Sequence, residues 1–214
     1  MPQPATAARH PRRRTLTLIA STLLLAACTG TPRTPDASAA TPQVTGPLCA
    51  ALPTGTDPGN PTFLASQPVE AALRWIPTLT TFEAALRTSG VLDDLPAGTA
   101  VTVLAPTDDA FAATFSEDNW DDLMTHHTDQ LRTLLKAHLS TGAHPIDDLS
   151  TAGTTTTLDG ATITVTRTGA TTRLADRADT VCADYQATNA RIHLINAVLG
   201  PLPATADGTG HRAH

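Results

Sequence analysis

Lysine is almost missing from this sequence. Lys136 is the only one in 214 residues, and aromatic side chains make up 3% of the chain. With a formal net charge of −6, the first shortage removes the cations that neutralise phosphates, so nucleic acid is not expected as a partner. The second removes the ring platforms on which single strands stack. The uncharged run at 15–27, TLTLIASTLLLAA, is 13 residues long, too short for a membrane-spanning helix, which takes about 20. Three cysteines occur, none in CxxC spacing for zinc or redox exchange. Gly-x-Ser-x-Gly, P-loop, Rossmann and EF-hand patterns are all absent, so no motif gives a reason to assign an enzyme, a metal or a cofactor.

What is present at the N-terminus has the order of an export signal: basic RHPRRR, the short apolar run, then small Ala26 and Ala27. LLLAAC resembles a bacterial lipobox. That resemblance implies a lipoprotein signal peptide over 1–27, with Cys28 lipidated as the new N-terminus. The alternative is ordinary cleavage near Ala27, leaving Cys28 as a thiol. Arg13-Arg14 leaves Sec and twin-arginine export both open. All 20 acidic residues follow Cys28, whereas four of the 14 basic ones, Arg9, Arg12, Arg13 and Arg14, precede it, so the mature chain carries a formal charge of −10. It has no basic patch for anionic headgroups, and attachment to the membrane falls to lipid, at about 0.8 kcal/mol per buried methylene. The expected location is the extracytoplasmic face of the cell membrane, with release to the extracellular space as the other outcome. Once Cys28 is given to lipid, Cys49 and Cys182 remain, and in an oxidising compartment a disulfide is their simplest use.

Residues 29–46, TGTPRTPDASAATPQVTG, are too polar to bury and too rich in proline for a helix, so 28–46 reads as the lipidated cysteine and a flexible linker. Residues 47–203 form one domain, and 204–214 a disordered tail. Ser66 and Pro68 open a helix with Val69, Ala72, Leu73 and Ile76 on one face. A second helix carries Leu79, Phe82 and Leu86 and stops at Gly90. A third, TDQLRTLLKAHLSTG, places His138 on the stripe of Leu131, Leu134, Leu135 and Leu139. The period then changes to two. TTTTLDGATITVTRTG predicts a hairpin turning at Asp159-Gly160, with Ile163 and Val165 facing in. TRLAD, DTVCADY and ARIHLINAVL read as further strands, and AVTVLA as a central one. Helices first and strands later predict an α+β domain.

TAVTVLAPTDDAF resembles the first signature of fasciclin-type (FAS1) domains, and ARIHLINAVLGPLP resembles the second. LLKAHLSTG falls where the family has its Tyr-His segment, and TLDGATITV matches its Thr-Leu-x-Gly hairpin. The ordered set, across 62–203, implies a FAS1 fold: a β-wedge or sandwich flanked by several helices in a single domain. Within the family the chain is most similar to the secreted and lipid-anchored fasciclin antigens of mycobacteria and related actinobacteria. Those also carry a cysteine after Gly-Pro, here Cys49, and one after Asp-x-Val, here Cys182, and the similarity implies that the two are bonded. Three positions depart from the pattern: Ala137 replaces the tyrosine of Tyr-His, Ala190 the glycine of Asn-Gly, and Asn196 the aspartate linked to adhesion in some eukaryotic members.

Asp108-Asp109 invites a catalytic reading, but adjacent residues on a helix do not face each other. Pro106 ends a strand, and Thr107 or Asp108 is placed to cap the next helix, where acidic residues favour the dipole. His138 and His193 are either ligand contacts in a cleft or core histidines bonded to backbone. Asn196 joins them as a polar candidate, and His126, His127, His211 and His214 lack partners at metal-ligand spacing. The resulting expectation is a non-enzymatic, lipid-anchored, monomeric surface module that mediates adhesion or binds a protein, matrix or lipid partner. The alternative is a small-molecule or lipid carrier of the cell envelope with a pocket beside His138, and an envelope hydrolase is the third reading.

Overall fold

A computed structural model describes residues 42–206. The export signal, Cys28, the linker through Thr41 and the tail from Asp207 lie outside the described residues. Within these bounds no helix is long and apolar enough to cross a membrane.

The helices come first. Asn60 caps α1 (Pro61–Leu64), its Oδ1 accepting from Phe63 N at 3.0 Å, with proline at the first helical position. Ser66, expected to cap the next helix, instead donates to the Phe63 carbonyl at 2.8 Å and closes α1, so α2 (Val69–Leu73) opens from Pro68 and its first amide, Val69 N, donates to Asn189 Oδ1 at 2.9 Å. Helix α3 (Thr80–Ser89) stops at Gly90, whose φ of 63° favours a residue free of a Cβ penalty. Strand β1 (Val101–Pro106) leads directly into α4 (Asp108–Thr114), followed by α5 (Glu117–Thr125) and α6 (Thr128–Lys136). Then come β2 (Leu139–Thr141), α7 (Ile146–Ala152), β3 (Thr154–Thr156), β4 (Thr162–Thr168), β5 (Thr171–Leu174), β6 (Ala178–Ala187) and β7 (Ala190–Ile195).

The third helix is shorter than its pattern promised. It ends at Lys136, so His138 does not ride on it. Strand pairing wins over helical period here: Leu139 opens β2, which pairs with β1, and the His138 carbonyl accepts from Leu104 N at 2.8 Å. Helices α5 and α7 were not legible as apolar stripes, since each buries only two residues, Trp120 with Leu123 and Ile146 with Leu149.

The strands form one mixed sheet in the order β2-β1-β7-β6-β5-β4-β3. Only β1 and β7 run parallel, with Val101 opposite Ala190 and Pro106 opposite Ile195. A bridge between Ser140 and Thr157 links the two edges and nearly closes the sheet. Strand β1 is buried on both sides, as a strand paired in parallel at the centre should be. Its Val101, Val103 and Ala105 face the helices, where Phe82, Phe111, Leu131, Leu134 and Leu135 pack. Its Leu104 faces the inside of the wedge with Ile195, Leu174, Val165 and the apolar side of α7.

The N-terminal segment is a strap across β6, not the end of a linker. Thr45 pairs with Ala183, Leu48 N donates to Val181 O at 2.9 Å, and Cys49 is disulfide-bonded to Cys182 with Cα atoms 5.0 Å apart. At Gly46, φ is 141°, and a Cβ would collide with the Val181 carbonyl. The strap lies this close because residue 46 has no side chain. The domain thus begins at Thr45 rather than at 47. It also runs past 203, because Thr205 N donates to the Thr114 carbonyl at 2.7 Å and its Oγ1 accepts from Ser116 N.

Candidate functional site: a groove at the strap and two helix starts

The end of β1 sets the site. Thr107 leaves the strand in extended conformation, and its Oγ1 accepts from Ala110 N at 3.3 Å, capping α4. Because Thr107 fills that position, Asp108 projects sideways and does not cap its own helix. Its carboxylate accepts from Thr80 N at 3.2 Å, Thr80 Oγ1 at 2.8 Å and Thr81 N at 2.7 Å. These are first-turn groups of α3, which has no side-chain cap of its own, and helix starts leave such amides without partners. Asp108 N returns a bond to Thr78 O at 2.9 Å. One carboxylate therefore ties the beginnings of α3 and α4 together.

This makes a prediction. Asp108→Ala leaves two amides and a hydroxyl at α3 without their acceptor and lowers stability by about 1–2 kcal/mol. Asp109→Ala, with no bond to lose among the described residues, stays within about 0.5 kcal/mol of the parent. Urea unfolding of the two variants checks both values, and equal losses would refute the assignment.

At the exit of β7, Asn196 Oδ1 accepts from Asp179 N at 2.8 Å while Asn196 N donates to Asp179 O at 3.1 Å. The amide thus pins the strand end against β6. Thr107, Asp108 and Asn196 meet along one open groove of about 800 Å³, whose other walls are the strap at Pro47 and Leu48, the approach to α3, and Val181. Neither the strap nor Val181 is marked as a wall by any pattern in the sequence. The one local hint was Gly46-Pro47, a pair suited to close backbone approach.

The two histidines lie elsewhere. His138 is fully buried. Its Nδ1 meets Leu134 O at 2.8 Å, and its Nε2 accepts from Leu199 N at 2.8 Å, which places the ring proton on Nδ1 as donor to Leu134. Phe82 sits edge-on with ring centroids 5.9 Å apart. Burial pushes the pKa down from 6.5 to about 4, only partly opposed by the Leu134 bond and the Asp159 charge. The ring is a neutral joint between α6 and the chain after β7.

His193 is a second joint of the same kind. Strand β6 carries a bulge between Cys182 and Tyr185, where Asp184 takes φ of 74°. His193 Nδ1 accepts the bulged Asp184 N–H at 3.1 Å, and Nε2 donates to His144 O at 3.0 Å. Asp184 Oδ1 in turn accepts from Ile146 N at 2.9 Å and holds the start of α7. The Asp184 carboxylate lies 3.9 Å from Nδ1. That nitrogen already accepts a backbone proton, so the two are not an ion pair while the ring is neutral. Burial is the largest influence on His193 and lowers its pKa; Asp184 and the His144 bond work against it, and Arg191 with it. No pattern in the sequence marked Asp184.

Chemically, the groove offers carboxylates, hydroxyls and an amide, with no lysine, arginine or histidine in its lining. Its hydroxyl–carboxylate pair, Thr80 Oγ1 with Asp108 at 2.8 Å, holds the start of α3, and both buried imidazoles are committed to backbone. Asp122 draws His126 and His127 to its two oxygens at 3.1 and 3.0 Å, and no cluster among the described residues is arranged to hold a metal.

A nearly closed sheet, a helical layer on one face and an open surface groove define a single-domain α+β module with the FAS1 fold. The chain belongs to the fasciclin family: the fasciclin domain matches residues 77–201. Among curated proteins it is similar to immunogenic protein MPB70 of Mycobacterium bovis and to immunogenic protein MPT70 of Mycobacterium tuberculosis. Each is 34% identical over 172 residues, covering 76% of this chain and 85% of the relative. Among solved structures it resembles a FAS1 domain pair from the insect cell adhesion molecule fasciclin I, at 23% identity and a TM-score of 0.46, over 57% of this chain and 45% of that one.

Proposed function

We propose that this is an exported, non-enzymatic binding module, anchored through lipid on Cys28 at the extracytoplasmic face of the cell membrane, whose fasciclin domain engages a protein, matrix or lipid partner. The observation that carries the reading is the contrast between the two sets of polar residues. Thr107, Asp108 and Asn196 reach an open surface groove, whereas His138 and His193 are fully buried and bonded to backbone. A surface able to bind, without an imidazole able to react, fits recognition better than turnover. The export signal, the lipobox-like LLLAAC and the disulfide agree with the location. The carrier reading has one observation in its favour, a groove volume within the roughly 300–1,000 Å³ of small-molecule sites. It loses ground because the groove is open and His138 sits in a filled core.

Metabolic labelling with an alkyne fatty acid in the source cells tests the anchor. The parent chain incorporates label and stays with the membrane fraction, and Cys28→Ala is unlabelled and is found in the medium. Label on the Cys28→Ala chain, or none on the parent, removes the lipid from the account.

A further inference from the structure

We infer that the groove takes an extended, cationic peptide segment of a partner protein, with a lysine or arginine set against Asp109 and aliphatic or proline residues on the floor. The inference rests on the binding reading above and names the chemistry of its partner. Two carboxylates stand in the groove and no cation does. Asp108 is fully engaged by Thr80 and Thr81. The Asp109 side chain, exposed in the first turn of α4, makes no hydrogen bond or ion pair among the described residues. Its acceptor capacity is open to a guest. Beside it lie Pro47, Leu48, Pro77, Ala113 and Val181, an apolar track without a donor side chain.

Guests of other chemistry fit less well. A phosphate or carboxylate meets the open carboxylate of Asp109 with no side-chain cation in the lining to offset it, and the mature chain, with twice as many acidic as basic residues, repels it at longer range. A purely aliphatic chain covers Asp109 without replacing its water. A lysine or arginine side chain satisfies both requirements, since its methylenes lie along apolar surface while its head reaches the carboxylate. The open groove with proline at Pro47 and Pro77 suits a chain that is already extended.

The test is fluorescence anisotropy with the mature, disulfide-intact chain in detergent and two fluorescein-labelled nonapeptides, three repeats of Lys-Pro-Leu and three of Glu-Pro-Leu. The lysine peptide binds at one site per chain and weakens as salt rises from 0.05 to 0.5 M, whereas the glutamate peptide does not bind. Asp109→Asn weakens the lysine peptide about tenfold, the loss of one partly desolvated charge-assisted contact. Ala113→Arg, which fills the floor and adds a cation, abolishes binding, and Glu117→Gln on α5, outside the groove, changes nothing. Equal binding of both peptides, no binding of the lysine peptide, or a Glu117→Gln loss as large as that of Asp109→Asn would each overturn the inference. A crosslinking pull-down from envelope extract with the parent and with Ala113→Arg separates this failure from that of the broader reading. A partner retained by both leaves a binding module whose surface lies elsewhere, and a parent chain that captures nothing removes the binding module itself.

Discussion

Reducing the Cys49–Cys182 bond lowers the stability of the domain by about 4–5 kcal/mol, the largest single loss expected of any local change to this chain. The bond closes a sequence separation of 133 residues, and the chain-entropy relation for a loop of that length gives this value, most of it through the greater freedom of the reduced unfolded chain. The native side changes less, because Thr45 still pairs with Ala183 and Leu48 with Val181. Domains of this size have total stabilities of about 5–15 kcal/mol, so the reduced protein lies near the limit of folding. With a urea dependence of about 2 kcal/mol per molar, the midpoint falls by about 2 M. The measurement compares oxidised chain with chain reduced in denaturant and refolded under reductant. A midpoint difference below about 0.5 M would show that the bond is a surface ornament and not the closure of the fold.

Acidification is the second large effect. In the unfolded chain His138 takes up a proton near pH 6.5, and in the folded chain burial delays this to about pH 4. Between those values the unfolded state binds more protons, so stability falls as pH falls; above 6.5 and below 4 this group contributes no slope. The gap corresponds to about 3 kcal/mol. His193, lowered in the same direction, adds to the loss, and its protonation would also evict the Asp184 N–H from Nδ1. Urea unfolding from pH 7.5 to 4 reads the sum. His138→Gln keeps a donor and an acceptor at the joint but does not titrate, and it flattens the profile by about one proton. A parent profile level from pH 7 to 4.5 would contradict the account of both rings.

What the sequence revealed and what it hid divide by range. The VTVLAPTDDAF junction was readable because a strand stop at Pro106 and a cap at Thr107 are decided within a few residues. The hairpin at Asp159-Gly160 was readable for the same reason, and so was the stop at Gly90. The role of Asp108 was not, since the donors to its carboxylate stand 27 and 28 residues upstream. His138 misled because LLKAHL continues a helical period on paper, while the competing strand partner is supplied by β1, more than thirty residues earlier. The groove was invisible for a related reason. Its walls come from the strap, the approach to α3, the start of α4, and strands β6 and β7, and no local pattern announces which of these will be neighbours.

The family match starts at residue 77, yet Leu52, Leu64, Val69, Ala72, Leu73 and Ile76 are all buried before it. Each large aliphatic side chain among them contributes about 1.5–3 kcal/mol by leaving water. The stretch matched as the fasciclin domain is therefore smaller than the stretch whose core is buried together. A polypeptide cut at Pro77 would expose the underside of α3 and lack one half of the Cys49–Cys182 crosslink. The shortest piece that keeps its shape in solution begins at the strap, some thirty residues ahead of the start of the fasciclin-domain match.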